Sequence, residues 1–139
     1  MQKVNIVIRY YRLKVLKINN TPKTPDVDFN PTSGVFQISG ISVPENSLEF
    51  YSIIIKWIGA YIQNPVDTTK IIFKLTYVNT SSLQFLYDIL MLLDEIHTKT
   101  SNIQVEWYYL SDDLDMKEMG EDYQESLSVD FSFFEVEVV

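Results

Sequence analysis

Lys70-Ile71-Ile72-Phe73-Lys74-Leu75-Thr76-Tyr77-Val78 runs straight into Asn79-Thr80-Ser81-Ser82, and then into Leu83, Leu86, Ile89, Leu90, Leu93 and Ile96. The first stretch is rich in β-branched and aromatic residues, which suits a central strand. The apolar residues after the turn recur at three- and four-residue spacing, the signature of a helix with one apolar face. The polar residues between them form a turn, and one of Asn79, Thr80 or Ser81 is expected to cap the helix. A strand feeding a helix through a short polar turn is the repeating unit of an α/β sheet.

The same reading extends in both directions. Upstream, Leu48, Tyr51, Ile54, Ile55, Ile58 and Ile62 form a second helical stripe over Asn46–Gln63, stopped by Asn64-Pro65. Pro44 and Glu45 suit its first turn, since proline lacks the unneeded N–H and a carboxylate complements the positive end of the helix dipole. Residues 26–41 read as a hairpin: Val27 and Phe29 alternate with Asp26 and Asp28, and Asn30-Pro31-Thr32-Ser33-Gly34 makes the turn. Leu13, Val15, Leu16 and Ile18 suggest a short strand before Asn19-Asn20-Thr21-Pro22. Downstream, Ile103, Val105, Trp107 and Tyr109 alternate as a further strand. Asp112–Tyr123 reads as a short acidic helix, and Phe131–Val138 as a last strand. The expected fold class is α/β (α+β), a single mixed sheet of about five to six strands flanked by two main helices and a short acidic helix. Residues 13–139 are expected to form one domain. Residues 1–12 read as an N-terminal extension: an extra edge strand, a start-site artefact or a loose tail.

Composition narrows the chemistry. The chain of 139 residues has 11 Lys+Arg against 19 Asp+Glu, a net charge of −8. A net acidic chain repels phosphate backbones, so nucleic acid is not an expected partner. There is no cysteine, which excludes disulfides, thiolate metal sites and cysteine nucleophiles. The single histidine, His97, makes a Ser-His-Asp triad or a histidine-rich metal site improbable. His97 ends the second helix, where an interaction with the negative dipole end is expected. No apolar run is long enough to span a bilayer, and the basic residues Arg9, Arg12, Lys14 and Lys17 break up any signal-peptide pattern. A soluble, cytoplasmic, non-enzymatic protein without cofactor or metal is the expectation.

The charges are uneven. Residues 1–25 carry six bases and no acid, whereas Glu106–Val139 carries eleven acids and one base, Lys117. The acidic run Asp112–Asp122 does not follow a calcium loop: starting from Asp113, Lys117 and Glu118 stand where an acid and a glycine are needed. It reads as a solvated face or a surface for a basic partner. By contrast, no charged residue lies between Lys74 and Asp88. The Asn79-Thr80-Ser81-Ser82 turn is therefore a neutral, hydroxyl-rich strand-to-helix junction. Such junctions cap helices, and they are also where open α/β sheets place ligands or phosphate groups. Ser42-Val43-Pro44-Glu45-Asn46, ahead of the first helix, is a comparable loop and can touch the same partner.

Several stretches together resemble a known family. They are Leu16-Lys17-Ile18 with Thr21-Pro22-Lys23-Thr24-Pro25, Gly40-Ile41-Ser42-Val43-Pro44-Glu45-Asn46, Phe50-Tyr51 with Trp57, Tyr77-Val78-Asn79-Thr80-Ser81-Ser82, Val105-Glu106-Trp107-Tyr108, and Asp115-Met116 with Gly120-Glu121-Asp122. In this order and spacing they resemble the SiaC family of bacterial regulatory phosphoproteins over residues 13–138. The resemblance implies a fold similar to STAS domains, the anti-sigma-factor antagonists. It implies a cognate serine/threonine kinase of the histidine-kinase-like ATPase type, and a PP2C-type phosphatase that reverses the modification. It implies that the unphosphorylated protein binds and activates a diguanylate cyclase, controlling cyclic di-GMP and biofilm formation. The family's phosphorylated threonine corresponds to Thr80. The partner-binding residues implied are Pro44, Glu45, Asn46, Asn79, Thr80, Ser81 and Ser82. The alternative reading is an anti-sigma-factor antagonist in a partner-switching pathway.

Overall fold

The computed structural model describes residues 13–139; the extension expected at residues 1–12 lies outside them. The junction that decides the fold is formed as expected, with a strand at Thr68–Val78 followed by a helix at Thr80–Ile96. In chain order the elements are β1 (Leu16–Ile18), β2 (Asp26–Asn30), β3 (Val35–Ser42), α1 (Ser47–Tyr61), β4 (Thr68–Val78), α2 (Thr80–Ile96), β5 (Asn102–Leu110), α3 (Leu114–Ser126) and β6 (Asp130–Val136).

The strands lie in a single mixed sheet in the order β1-β2-β3-β4-β5-β6. β1, β2 and β3 pair antiparallel, and the hairpin expected over residues 26–41 forms over 26–42. β3, β4, β5 and β6 pair parallel, each pair joined through a helix. Sequential parallel strands with right-handed crossovers place every connecting helix on the same face. Burial follows from that. Ile71, Phe73 and Leu75 of β4, and Ile103, Val105 and Trp107 of β5, are at most 1% exposed, while the residues between them face the uncovered side. This uncovered side carries Lys17, Asp26, Asp28, Lys70 and Glu106, with Lys70–Glu106 and Lys17–Asp26 ion pairs both at 3.2 Å.

The helix side holds the core. Tyr51, Ile54 and Ile58 of α1 and Leu86, Ile89, Leu90 and Leu93 of α2 are fully buried. An aromatic cluster of Phe29, Phe36, Trp57 and Tyr61 fills the space under α1, with ring centroids 4.7–5.6 Å apart. The acidic helix α3 is amphipathic: Met116, Gly120 and Tyr123 are buried, and the Trp107 indole donates to the Met116 carbonyl at 2.9 Å. It starts two residues later than its sequence suggests because Asp113 is its N-cap, accepting from the Met116 amide at 3.1 Å.

Two expectations are corrected. Leu48, read as part of the inward stripe of α1, is 65% exposed. It shares a helix flank with Ile55 and Ile62, which are only half-buried, and at the first turn that flank has nothing packed over it. The His97 ring bonds to β5 and not to the carbonyls that end α2. It is buried, and its Nδ1 accepts a hydrogen bond from the Ile103 amide at 3.0 Å, pinning the start of β5 to the end of α2.

Candidate functional site

β3 and β4 end side by side, with Ser42 paired to Val78. Each then turns into a helix, so the loop 43–46 and the residue Asn79 lie next to each other past the carboxyl ends of the two central strands. The Asn79 amide donates to the Ser42 carbonyl at 2.9 Å, which carries the sheet pairing one step past the end of β4. Both helices are capped by asparagine. Asn46 accepts from the Glu49 amide at 3.1 Å, and Asn79 accepts from the Ser82 amide at 2.9 Å. The cap left open in sequence among Asn79, Thr80 and Ser81 is thus Asn79, and Thr80 becomes the first helical residue.

That assignment sorts the three hydroxyls of the turn. Ser82 points inward and is fully buried, 2.9 Å from Ser42 Oγ, which in turn lies 2.6 Å from the Tyr51 hydroxyl. Burying three hydroxyls is tolerable only because each is partnered. Ser81 lies on the rim and bonds to Ser47 Oγ of α1 at 2.5 Å and to Asn79 Oδ1 at 3.2 Å. Thr80 is exposed, and its hydroxyl makes no hydrogen bond among the described residues. Of the hydroxyls in this turn, only that of Thr80 is both accessible and free to react.

The seven residues singled out in sequence are gathered at this one end of the sheet, in different roles. Glu45, Asn46, Thr80 and Ser81 are exposed, and Asn79 is half-buried. Pro44 and Ser82 are buried, so they hold the backbone in place instead of offering contact. Glu45 pairs with Lys23 at 2.7 Å, and Lys23 is itself fixed by its carbonyl, which accepts from the Val43 amide at 2.7 Å. The hydrogen bond and charge of Lys23 hold the Glu45 carboxyl below the usual carboxylate range. Burial pushes the Tyr51 hydroxyl upward, against the opposing pull of its bonds to Ser42 and Ser82. Sequence reasoning missed the structural hydroxyls of Ser47 and Tyr51. A Ser directly after a helix cap, and a Tyr within an otherwise aliphatic stripe, were the available signals. Among the described residues no group of three or more His, Asp or Glu converges to hold a metal ion, and no helix is long and apolar enough to cross a membrane.

Comparisons with known proteins identify the family and the fold. The profile for "SiaC family regulatory phosphoprotein" matches residues 18–136. An uncharacterized protein of Pseudomonas aeruginosa (strain UCBPP-PA14) is 30% identical over 117 residues, covering 84% of this chain and 93% of its own. The crystal structure of apo-SiaC from Pseudomonas aeruginosa superposes with a TM-score of 0.78 at 30% identity, over 86% of this chain and 98% of that one. A chain of the crystal structure of the diguanylate cyclase SiaD in complex with its activator SiaC, from the same organism, gives a TM-score of 0.81 at 29% identity, over 87% and 99%. The protein described here therefore belongs to the SiaC family of regulatory phosphoproteins.

Proposed function

We propose that this protein is a non-enzymatic phosphorylation switch: a cognate kinase modifies Thr80, a PP2C-type phosphatase reverses it, and the unphosphorylated form binds and activates a diguanylate cyclase. The observation that carries the reading is the exposed, unbonded Thr80 hydroxyl in a turn whose other hydroxyls are buried or engaged. SiaC of Pseudomonas aeruginosa, a structural neighbour, activates the diguanylate cyclase SiaD. The protein works in the cytoplasm, where a kinase finds ATP and a cyclase finds GTP.

The physical effect of the modification follows from position. A phosphate adds about −1.5 to −2 charges at pH 7. At the first residue of α2 the helix dipole tolerates that charge, so the fold is unharmed. A partner docked over the turn would instead bury the phosphate, and no base lies in the sequence between Lys74 and Asp88 to pair with it. Desolvating an unpaired dianion costs several kcal/mol, on the order of a thousandfold in affinity.

The reading is tested with the purified kinase and cyclase. Phosphate-affinity electrophoresis should show a single modified species that Thr80→Ala abolishes, and the modified protein should fail to pull down the cyclase. Full modification of Thr80→Ala would sink the assignment.

A further inference from the structure

Thr80 and Ser81 carry adjacent hydroxyls, and both residues are exposed. A kinase that transfers phosphate to hydroxyl oxygens meets the same chemistry at both. Solvent access therefore does not separate them. Serine, with no methyl beside its oxygen, is the less hindered of the two. What separates them is hydrogen bonding. Ser81 Oγ lies 2.5 Å from Ser47 Oγ and donates to Asn79 Oδ1 at 3.2 Å. With its proton on Asn79, Ser81 accepts the proton of Ser47. The Thr80 hydroxyl has neither contact among the described residues.

The fold holds this arrangement in place. A helix turns by about 100° per residue, so three successive hydroxyls face three ways: Thr80 to solvent, Ser81 toward α1, Ser82 inward. Ser47 is the first residue of α1, fixed behind the Asn46 cap and itself buried. In phosphoryl transfer the acceptor oxygen aims a lone pair at the γ-phosphorus of a nucleoside triphosphate and gives its proton to a base of the kinase. The Oγ–P bond forms as the bond from phosphorus to the departing nucleoside diphosphate breaks. Ser81 reaches that geometry only by leaving both partners, and the amide oxygen of Asn79 is no base to take its proton. Each such bond is worth roughly two- to tenfold in population, and the two together roughly five- to a hundredfold. Thr80 has no such bond to break.

We propose that Ser47 determines the specificity of the phosphorylation site: by occupying the Ser81 hydroxyl it confines transfer to Thr80, and Ser81 is a latent second site that opens when Ser47 lets go. The inference rests on the Thr80 switch reading and supplies the reason for its single site. Ser47 acts through Ser81, so it is a positioning residue and not a catalytic one. It stands 34 residues before Ser81, on the other helix. The choice between two neighbouring hydroxyls is thus made by the docking of α1 against α2, not within the Asn-Thr-Ser-Ser turn itself.

The test uses the full chain, the purified cognate kinase and ATP, with sites located and rates followed by phosphopeptide mass spectrometry. Wild type should be modified at Thr80, and at Ser81 at least about fivefold more slowly. In the Thr80→Ala background, adding Ser47→Ala should raise the rate at Ser81 at least about threefold. Adding Ser47→Thr instead keeps a hydroxyl and should leave Ser81 suppressed. Ser47→Ala alone should keep kcat/KM at Thr80 within about twofold of wild type, because a turn that had merely loosened would change both sites together. Thermal melts establish that each variant is folded at the assay temperature. An unchanged Ser81 rate in the Thr80→Ala, Ser47→Ala protein would overturn the proposal and leave the switch standing, the site then being chosen by how the kinase docks. Modification of wild type at Ser81 as fast as at Thr80 would overturn it as well. Wild type left unmodified throughout the turn would refute the switch reading itself.

Discussion

Ser47 and Ser81 share a hydrogen bond at 2.5 Å across 34 residues of chain, fastening the first turn of α1 to the first turn of α2. Beneath it, Ser42 joins Tyr51 to Ser82. The loop before α1 and the turn before α2 are therefore one rigid edge, and Thr80 is displayed on it.

That bridge has a measurable worth. Ser81→Ala and Ser47→Ala should each destabilise the protein by about 0.5–1.5 kcal/mol, the net value of one intramolecular hydrogen bond. Because both remove the same contact, the double variant should cost little more than either single one. Urea unfolding of the four proteins checks this, and strict additivity would show that the two hydroxyls are not coupled.

Two helical glycines should respond oppositely to alanine. At Gly59 in α1 an added Cβ meets nothing within 4 Å, so Gly59→Ala should stabilise by about 0.5–1 kcal/mol through helix propensity. At Gly120 in α3 the Cβ would come 2.7 Å from Trp107 Cδ1 and 2.8 Å from Phe133 Cε1, both ring atoms held in packed positions. Overpacking costs about 1–3 kcal/mol, which exceeds the propensity gain, so Gly120→Ala should destabilise and perturb Trp107 fluorescence. Calorimetric Tm values separate the two signs.

Much of this was legible in the sequence, for a physical reason. With helices on only one face, β4 and β5 must alternate buried and open residues, and Lys70 to Leu75 and Ile103 to Tyr109 show that alternation plainly. The junction at Asn79 was legible because turn chemistry is local. What was not legible depends on contacts distant in the chain. Thr80, Ser81 and Ser82 look alike in sequence, and only the choice of Asn79 as cap, with Ser42 and Ser47 across the edge, decides which is buried, which is bridged and which is free. A β-bulge at Thr76 turns Tyr77 outward, but its glycine, Gly40, lies on β3, not on β4 where the extra residue sits, so no pattern within β4 announces it. Leu48 fits the helical period but falls where α1 has no neighbour.

Alkaline pH should weaken the fold through two tyrosines. Burial raises the hydroxyls of both Tyr123 and Tyr51 above the ordinary value near 10, with the charges of Tyr51 and Asp88 adding to the effect at Tyr123. Below pH 10 both folded and unfolded chains keep these protons, so stability is unaffected. Above it the unfolded chain releases protons that the folded chain retains, and stability falls with rising pH. Tyr123→Phe removes one such proton and also the 2.6 Å hydrogen bond to the Leu83 carbonyl. It should therefore be about 0.5–1.5 kcal/mol less stable than wild type at neutral pH, and the gap should narrow above pH 10. Urea unfolding across that range measures it, and a constant gap would contradict the assignment.

Charge at Thr80 should separate stability from binding. An acid at the first position of α2 complements the helix dipole, so Thr80→Glu should stabilise the isolated protein slightly, by about 0.3–1 kcal/mol. The same charge stands in the turn over which the proposed partner docks and excludes water, so Thr80→Glu should bind the cyclase more weakly than wild type. Thr80→Ala should bind like the unmodified protein and resist the kinase. If the modification acted by unfolding the turn, stability and affinity would fall together. A charge-based switch makes them move in opposite directions, and one unfolding curve and one binding isotherm per variant decide which holds.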